Sequence, residues 1–75
     1  MAWPVNEQDK EELIKLGEKI KSLRQSKGLS LEQVAKRIDK DRQSIHKLEK
    51  GEFNPTYIYL KEICRGLEID MKELF

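Results

Sequence analysis

The sequence predicts an all-α protein, a compact bundle of five short helices. Apolar residues recur at intervals of three and four, a helix-capping side chain precedes most apolar stripes, and no stretch alternates apolar and polar residues as a half-buried strand does. With 75 residues, 37% of them hydrophobic and 39% charged, the chain is long enough for one small core but not for two. We therefore expect a single helical domain.

The first helix is predicted by apolar residues that share one helical face, namely Leu13, Leu16, Ile20 and Leu23. It should end near Lys27, because Gly28 can adopt the left-handed conformation that closes a helix. Residues 1–12 are expected to form an N-terminal tail, which includes Trp3, and the start of this helix. Residues 13–75 are the predicted domain.

The second and third helices are predicted from their N-terminal caps. Ser30 and Gln33 match a capping box, and Asp41 is a favourable cap for the next helix after a tight connection at Asp39 and Lys40. The second helix should be short, about nine residues, before that connection. The apolar residues expected to face inward are Val34, Ala35, Ile38, Ile45 and Leu48.

Two further helices are predicted after Gly51, which should end the third. Residues 52–55 are expected to form a loop, because the residue before a proline is biased away from helix, and Thr56 can cap a fourth helix. The inward apolar residues of that helix are predicted to be Leu60, Ile63, Cys64 and Leu67. A fifth short helix should follow Asp70, which Glu73 completes as a capping box.

Composition excludes several classes of function. Cys64 is the single cysteine, so we expect neither an internal disulfide nor a structural zinc site, and we expect a reducing, cytoplasmic location. No apolar run approaches the roughly 20 residues that span a bilayer, so no membrane association is predicted. His46 and Cys64 have no glycine-rich phosphate loop or paired carboxylates beside them, so we predict no enzymatic activity, no cofactor and no metal.

Charge is unevenly distributed along the chain, although 15 basic and 14 acidic residues leave a net charge of +1. Residues 1–18 carry −3, residues 19–50 carry +6 and residues 51–75 carry −2. The central basic segment coincides with the first three predicted helices and favours a nucleic-acid partner, although a solvated basic surface would give the same count.

Two central segments carry a resemblance to a known family. The stretch GLSLEQVAKRI, residues 28–38, is followed after a three-residue link by RQSIHKLEKG, residues 42–51, then by an Asn-Pro turn and a closing KELF. Residues 16–75 thereby resemble the Cro/repressor-type, or XRE-like, helix-turn-helix family. The resemblance implies a lambda-repressor-like domain with its helix-turn-helix at about residues 30–50, which binds double-stranded DNA through the third helix.

The third helix carries the residues that the resemblance assigns to base contacts, which are Arg42, Gln43 and Lys47. Arg42 can donate two hydrogen bonds to guanine, Gln43 can pair with adenine, and Lys47 can reach guanine or a phosphate. The alternatives are a surface ion pair of Arg42 with Asp41 or another neighbour, and simple solvation of Lys47. His46 is expected to be a flanking surface residue.

A second set is expected to contact the DNA backbone, through helix N-termini and polar side chains. Its members are Ser30, Gln33, Arg37, Lys40, Ser44, Lys50 and Asn54. Arg24 and Glu49 match a family ion pair between helices one and three that orients the recognition helix; two unrelated surface charges are the alternative.

The chain departs from the family pattern at several positions. Leu31 stands where many members have glutamine, which puts one phosphate contact in doubt, and Glu52 would repel phosphate. Asp39 and Glu68 stand at left-handed positions that the family often fills with glycine, so we expect a different turn at Glu68. Cys64 is expected to be a core residue.

The resemblance favours a homodimer on a palindromic operator, acting as a repressor or controller, or as the DNA-binding partner of a toxin. Its dimer contacts are expected among apolar residues near the fourth and fifth helices, which are Phe53, Tyr57, Ile58, Tyr59, Met71 and Phe75, with core packing as the alternative for each. The rival hypothesis is a protein-interaction module of the same fold with weak or no groove reading, which the departures at Leu31 and Glu52 favour.

Overall fold

The structure, a computed structural model, describes residues 6–75, and all the regular secondary structure in this range is helical. Its elements are α1 (Glu7–Ser26), α2 (Leu31–Ile38), α3 (Arg42–Glu49), α4 (Tyr57–Leu67) and a 3₁₀ helix (Met71–Leu74). The all-α prediction is confirmed. Trp3 and the first part of the predicted tail lie outside the described residues. Within residues 6–75, none of the helices has both the length and the hydropathy of a membrane span.

The predicted count of five α-helices is wrong, because the last element is a single turn of 3₁₀ helix. Its hydrogen bonds join residues three apart: the N–H of Glu73 donates to the carbonyl of Asp70 at 3.0 Å, and the N–H of Phe75 to that of Lys72 at 3.3 Å. Only Leu74 of this element is buried. The element has only four residues and one buried side chain, and a segment this short favours the 3₁₀ helix, which occurs mainly in short pieces.

Every α-helix within residues 6–75 begins with a side-chain cap. The predicted capping box forms, because the N–H of Gln33 donates to Ser30 Oγ (3.1 Å) and the N–H of Ser30 donates to Gln33 Oε1 (2.7 Å). The other caps are Asn6, Asp41 and Thr56, which accept from the N–H groups of Asp9, Ser44 and Tyr59. These bonds satisfy N–H groups that a helix leaves unpaired at its start.

The same four helices also end alike. Each is followed by a residue with positive φ, which we call a left-handed stop: Gly28 (68°), Asp39 (55°), Gly51 (77°) and Glu68 (59°). After each stop, the next N–H donates to the carbonyl five residues earlier, as from Leu29 to Arg24 (3.2 Å) and from Ile69 to Cys64 (3.0 Å). These bonds satisfy carbonyl groups at the helix ends.

The expectation of a different turn at Glu68 is therefore wrong. Its backbone keeps the left-handed conformation because this geometry lets Ile69 bond to Cys64 and close α4. The Nζ atom of Lys27 also donates to the carbonyl of Glu68 at 3.3 Å. Tertiary contacts thus offset the steric cost of a side chain at positive φ, about 1–2 kcal/mol.

Replacing Glu68 with glycine is expected to stabilise the protein by about 1 kcal/mol, because glycine adopts this conformation without the Cβ clash. For a domain of this size that raises the melting temperature by about 4–8 °C. Thermal denaturation followed by circular dichroism measures the change. The Glu68→Ala variant is the control, since it removes the same carboxylate but keeps Cβ; equal melting temperatures for the two variants would contradict the steric explanation.

The core lies among the four α-helices, where α3 packs against α1 and α2, and α4 packs against α2. Its fully buried residues include Ile20, Val34, Ile45, Leu48, Ile63 and Leu67. Cys64 is also buried, as predicted, and burial raises the pKa of its thiol. Leu13, Leu16, Leu23 and Ile38, which were predicted to face inward, are half-buried at the edge of the core. This packing fixes α3 against α1 and α2 and leaves its opposite face in solvent.

Candidate nucleic-acid interface

The exposed face of α3 carries the three residues predicted to contact bases. Ile45 and Leu48 are buried on the inner face, whereas Arg42, Gln43 and Lys47 are exposed. The side chains of these three make no hydrogen bond or ion pair with any residue in the range 6–75. Their donors are therefore available to an external partner.

The predicted alternative for Arg42, an ion pair with Asp41, does not form. The carboxylate of Asp41 instead accepts the N–H of Ser44 at 2.6 Å, which caps α3. That hydrogen bond, with a smaller effect from nearby Lys47, lowers the pKa of Asp41 and keeps it ionised. Arg42 and Lys36 of α2 line one shallow surface depression, so the start of α3 and the exposed side of α2 form a continuous surface.

Three cations that the sequence assigns to phosphate contacts form ion pairs with carboxylates of the same chain. The pairs are Arg37 with Glu68 at 3.8 Å, Lys40 with Glu62 at 2.8 Å, and Lys50 with Glu52 at 3.4 Å. Arg37 also donates to the carbonyl of Gly66 at 2.9 Å. The pair of Lys50 is half-exposed, and pairs of that kind contribute only about 0–1 kcal/mol, so a phosphate can compete with the carboxylate.

The uncharged members of the predicted phosphate set lie at helix starts and in the following loop. Ser30 and Gln33 form the cap of α2, and Gln33 uses only its carbonyl oxygen there, which leaves its amide N–H groups as donors. Ser44 lies in the first turn of α3, and Asn54 is exposed in the loop before α4. The free N–H groups of two helix starts and these side chains therefore border α3.

Arg24 and Glu49 form a buried, two-pronged ion pair between α1 and α3. Nε of Arg24 lies 2.7 Å from Glu49 Oε2, and Nη2 lies 3.0 Å from Oε1. Nη1 of Arg24 donates to the carbonyl of Leu29 at 2.7 Å. The side chains of Arg24 and Glu49 are 10% and 3% exposed, so each charge is stabilised by its partner and very little by water. The pair fixes the end of α3 to α1.

The two departures at the predicted interface have structural explanations. Leu31 is half-buried and packs against the core, so the first residue of α2 contributes to the core through its side chain. Glu52 follows the left-handed stop at Gly51 and pairs with Lys50, so it partly neutralises a cation that is predicted to contact phosphate.

The residues predicted as dimer contacts divide into two groups. Tyr57, Ile58 and Phe75 are exposed by 64%, 60% and 82%. The other three, Phe53, Tyr59 and Met71, are half-buried and pack against the core. Tyr57, Ile58 and Phe75, together with Ile14 of α1, are thus the exposed large apolar side chains of residues 6–75.

Sequence reasoning missed Gly17, which controls the distance between α1 and α3. A Cβ atom at this position would lie 2.5 Å from the carbonyl oxygens of both Leu48 and Glu49. The helices are close because glycine has no side chain there. A glycine inside an otherwise regular helical pattern was the signal that could have revealed this contact.

Together, the capped helix pair and the exposed polar face of its second helix define the class of helix-turn-helix proteins. The family profile named Helix-turn-helix matches residues 20–74. The chain belongs to the XRE-like helix-turn-helix family of transcriptional regulators, a family of regulators and not of enzymes.

Two relatives come from different bacteria. An uncharacterized HTH-type transcriptional regulator of Sinorhizobium fredii is 37% identical over 59 residues, which cover 79% of this chain and 77% of that protein. The uncharacterized HTH-type transcriptional regulator YgzD of Bacillus subtilis is 30% identical over 57 residues, which cover 76% of this chain and 86% of that protein.

Solved structures with the same fold include restriction-modification controller proteins. The controller protein C.AhdI from Aeromonas hydrophila has a TM-score of 0.84 and 32% identity, over 87% of this chain and 98% of that chain. The controller protein C.Esp1396I, solved as a tetramer in complex with its natural 35 base-pair operator, has a TM-score of 0.78 and 33% identity, over 84% of this chain and 83% of that chain.

Proposed function

We propose that this protein is a sequence-specific regulator of transcription that binds double-stranded DNA as a homodimer. Each α3 enters the major groove, about 12 Å wide, at one half-site of an imperfect palindrome. The half-sites are inverted, as two-fold symmetry requires, and lie about one helical turn apart so that both face the same side of the duplex. The protein acts as a repressor or controller.

The proposal is carried by the exposed face of α3. Arg42, Gln43 and Lys47 present donors that no residue in the range 6–75 uses, and the opposite face is anchored by Ile45 and Leu48. Arginine and glutamine form the two-bond contacts that distinguish guanine and adenine. An anchored helix with unpaired donors in its first turn therefore favours a role in base reading over that of a merely solvated surface.

Backbone contacts would hold this helix in register. Ser30, Gln33, Ser44 and Asn54 border α3, and Arg37, Lys40 and Lys50 supply positive charge after exchange of their internal carboxylates. The relative C.Esp1396I, solved on its natural operator, supports a DNA partner for this fold.

The apolar surface of Tyr57, Ile58 and Phe75 is proposed as the dimer contact. Tyr57 and Ile58 are adjacent in the first turn of α4, and exposed apolar patches mark interaction surfaces on small domains. A dimer that uses one surface twice brings two copies of α3 to the same side, so the operator would be an inverted repeat.

In vitro selection of duplexes from a random pool is expected to enrich an inverted repeat at physiological salt. The Arg42→Ala variant should then lose preference at one base position in each half-site, with a cost of about 1–3 kcal/mol for the preferred base. Lys50→Ala is the matched control: it removes a cation proposed to contact phosphate, and it should weaken all sequences alike. Absence of any enriched motif would refute the proposal, and uniform weakening by Arg42→Ala would make that residue a phosphate contact.

The internal pairs of Arg37, Lys40 and Lys50 favour the second candidate, a protein-interaction module or antitoxin component with the same fold. Salt dependence separates the candidates. A DNA-binding protein that neutralises phosphates loses affinity steeply as salt rises, with a logarithmic slope of about −0.9 per phosphate contacted. A protein-interaction module would not show duplex binding whose affinity falls with salt in this way.

A further inference from the structure

We propose that Tyr59 of α4 is a positioning residue for DNA reading, which holds the first turn of α3 through Ser44 and does not itself contact bases. This inference rests on the proposed function, because it assigns a role in the same interface. It also separates Tyr59 from the dimer surface, with which the sequence pattern had grouped it.

The Tyr59 side chain points from α4 towards α3 and is satisfied within the subunit. Its Oη donates to Ser44 Oγ at 3.1 Å. Its ring and that of Phe53 pack edge to face, with centroids 4.9 Å apart and an angle of 74° between the ring planes. The residue is half-buried, whereas Tyr57 and Ile58 in the same turn are exposed. Tyr59 therefore lacks the free surface of a dimer contact.

Ser44 is the receiving residue, and its hydrogen bonds are directed towards the cap of α3. Its N–H donates to Asp41 Oδ1 at 2.6 Å, and its hydroxyl donates to the Asp41 carbonyl at 3.2 Å. A serine hydroxyl has one proton, so with that proton on Asp41 it accepts from Tyr59. The chain from Tyr59 through Ser44 to Asp41 thus links α4 to the turn that carries Arg42 and Gln43.

A second contact joins the same tyrosine to the link between α2 and α3. The Nζ atom of Lys40 lies 5.4 Å from the centre of the Tyr59 ring, within the range of a cation–π interaction. Glu62, one turn further along α4, lies 2.8 Å from the same Nζ atom. The ion pair with Glu62 raises the pKa of Lys40. Residues of α4 therefore contact Lys40, just before the α3 cap, and Ser44, in the first turn of α3.

The consequence for DNA reading follows from geometry. Base contacts lose strength when a side chain is misplaced by a fraction of an ångström, so a helix start held at two points presents Arg42 and Gln43 more accurately than a free one. Loss of the Tyr59 hydroxyl should reduce base discrimination, whereas the phosphate contacts proposed for Ser30, Gln33 and Lys50, which Tyr59 does not hydrogen-bond, stay intact.

The test compares Tyr59→Phe with Ser26→Ala. The first change removes only the hydroxyl and keeps the ring contacts; the second removes a hydroxyl that donates to the carbonyl of Leu23 in α1, away from α3. Affinity for the duplex selected with the wild-type protein should fall about five- to tenfold for Tyr59→Phe, the size of one lost hydrogen bond, and not for Ser26→Ala. Affinity for unrelated duplex should not change. Wild-type discrimination in Tyr59→Phe would overturn the proposal.

A double-mutant cycle tests the path through Ser44. If the hydroxyl of Tyr59 acts through Ser44, the losses of Tyr59→Phe and Ser44→Ala should not add in the double variant. Additive losses would overturn the proposed path. A shift in the dimer dissociation constant of Tyr59→Phe, measured by sedimentation, would instead return the residue to the dimer surface.

Hydrogen exchange in the free protein gives a result that does not depend on DNA. Tyr59→Phe should speed exchange of the Ser44 amide severalfold relative to amides of α1, because the cap is less firmly held. Unchanged exchange would overturn the positioning role. If the wild-type protein selects no duplex, the proposed function fails; if it does and Tyr59→Phe behaves as wild type, only this inference fails.

Discussion

Replacing Arg24 with alanine is expected to lower the free energy of unfolding by about 3–5 kcal/mol, because the Glu49 carboxylate is left buried and unpaired. The change also removes the donor to the carbonyl of Leu29, just after the left-handed stop at Gly28. Since small domains are stable by only about 5–15 kcal/mol, this loss removes much of the stability margin, and near the lower end of that range it unfolds much of the protein and with it the proposed DNA binding. Chemical denaturation measures it.

Two controls separate burial from charge. The double variant Arg24→Met/Glu49→Met leaves no stranded charge and should recover most of the stability, because apolar replacements of buried ion pairs are often neutral or stabilising. Lys10→Ala disrupts the exposed pair with Glu7, whose atoms are 3.9 Å apart, and should leave the melting temperature unchanged. If Arg24→Ala were as stable as Lys10→Ala, the buried pair would not hold α1 to α3.

The second large effect is expected for Gly17→Ala. Alanine favours helix over glycine by about 1 kcal/mol, so propensity alone predicts stabilisation. The new Cβ, however, would lie 2.5 Å from two backbone carbonyl oxygens, those of Leu48 and Glu49, which cannot rotate away. The helices must separate, and we expect a net loss of about 2 kcal/mol or more in the free energy of unfolding.

Gly66→Ala is the matched control within α4. A Cβ atom there would lie 2.7 Å from Ile38 Cγ2, which is the end of a side chain that can change rotamer, and 3.6 Å from Val34 Cγ1. The propensity gain then offsets much of the crowding, and we expect a loss below about 1 kcal/mol. A Gly66→Ala variant less stable than Gly17→Ala would show that backbone contact is not the deciding factor. Denaturant titration of both variants gives the comparison.

The elements that sequence predicts well are those whose determinants are local. The capping box of Ser30 and Gln33 and the cap at Asp41 involve residues three apart, so their geometry follows from sequence spacing alone. The exposure of Arg42 and Gln43 follows equally from the buried positions of Ile45 and Leu48.

The elements that escaped prediction depend on partners that are distant in sequence. The left-handed conformation of Glu68 is supported by Lys27, and the role of Tyr59 depends on Ser44 of another helix. The clash at Gly17 arises from carbonyls of α3, which no periodicity in α1 encodes. Such contacts are specified by the packing of helices; the sequence of one helix marks at most the position, as the glycine inside α1 does, and not the partner.

The left-handed stops at Gly28, Asp39, Gly51 and Glu68 also bear on how quickly the chain folds. Each stop is closed by a hydrogen bond between residues only five apart, so forming it requires closure of a very short loop and costs little chain entropy. Helical domains dominated by such local contacts fold on the order of microseconds to milliseconds. The turns that orient α3 can therefore form early in folding. We expect the exposed face of α3 to be in place within milliseconds of synthesis or of a transient unfolding event.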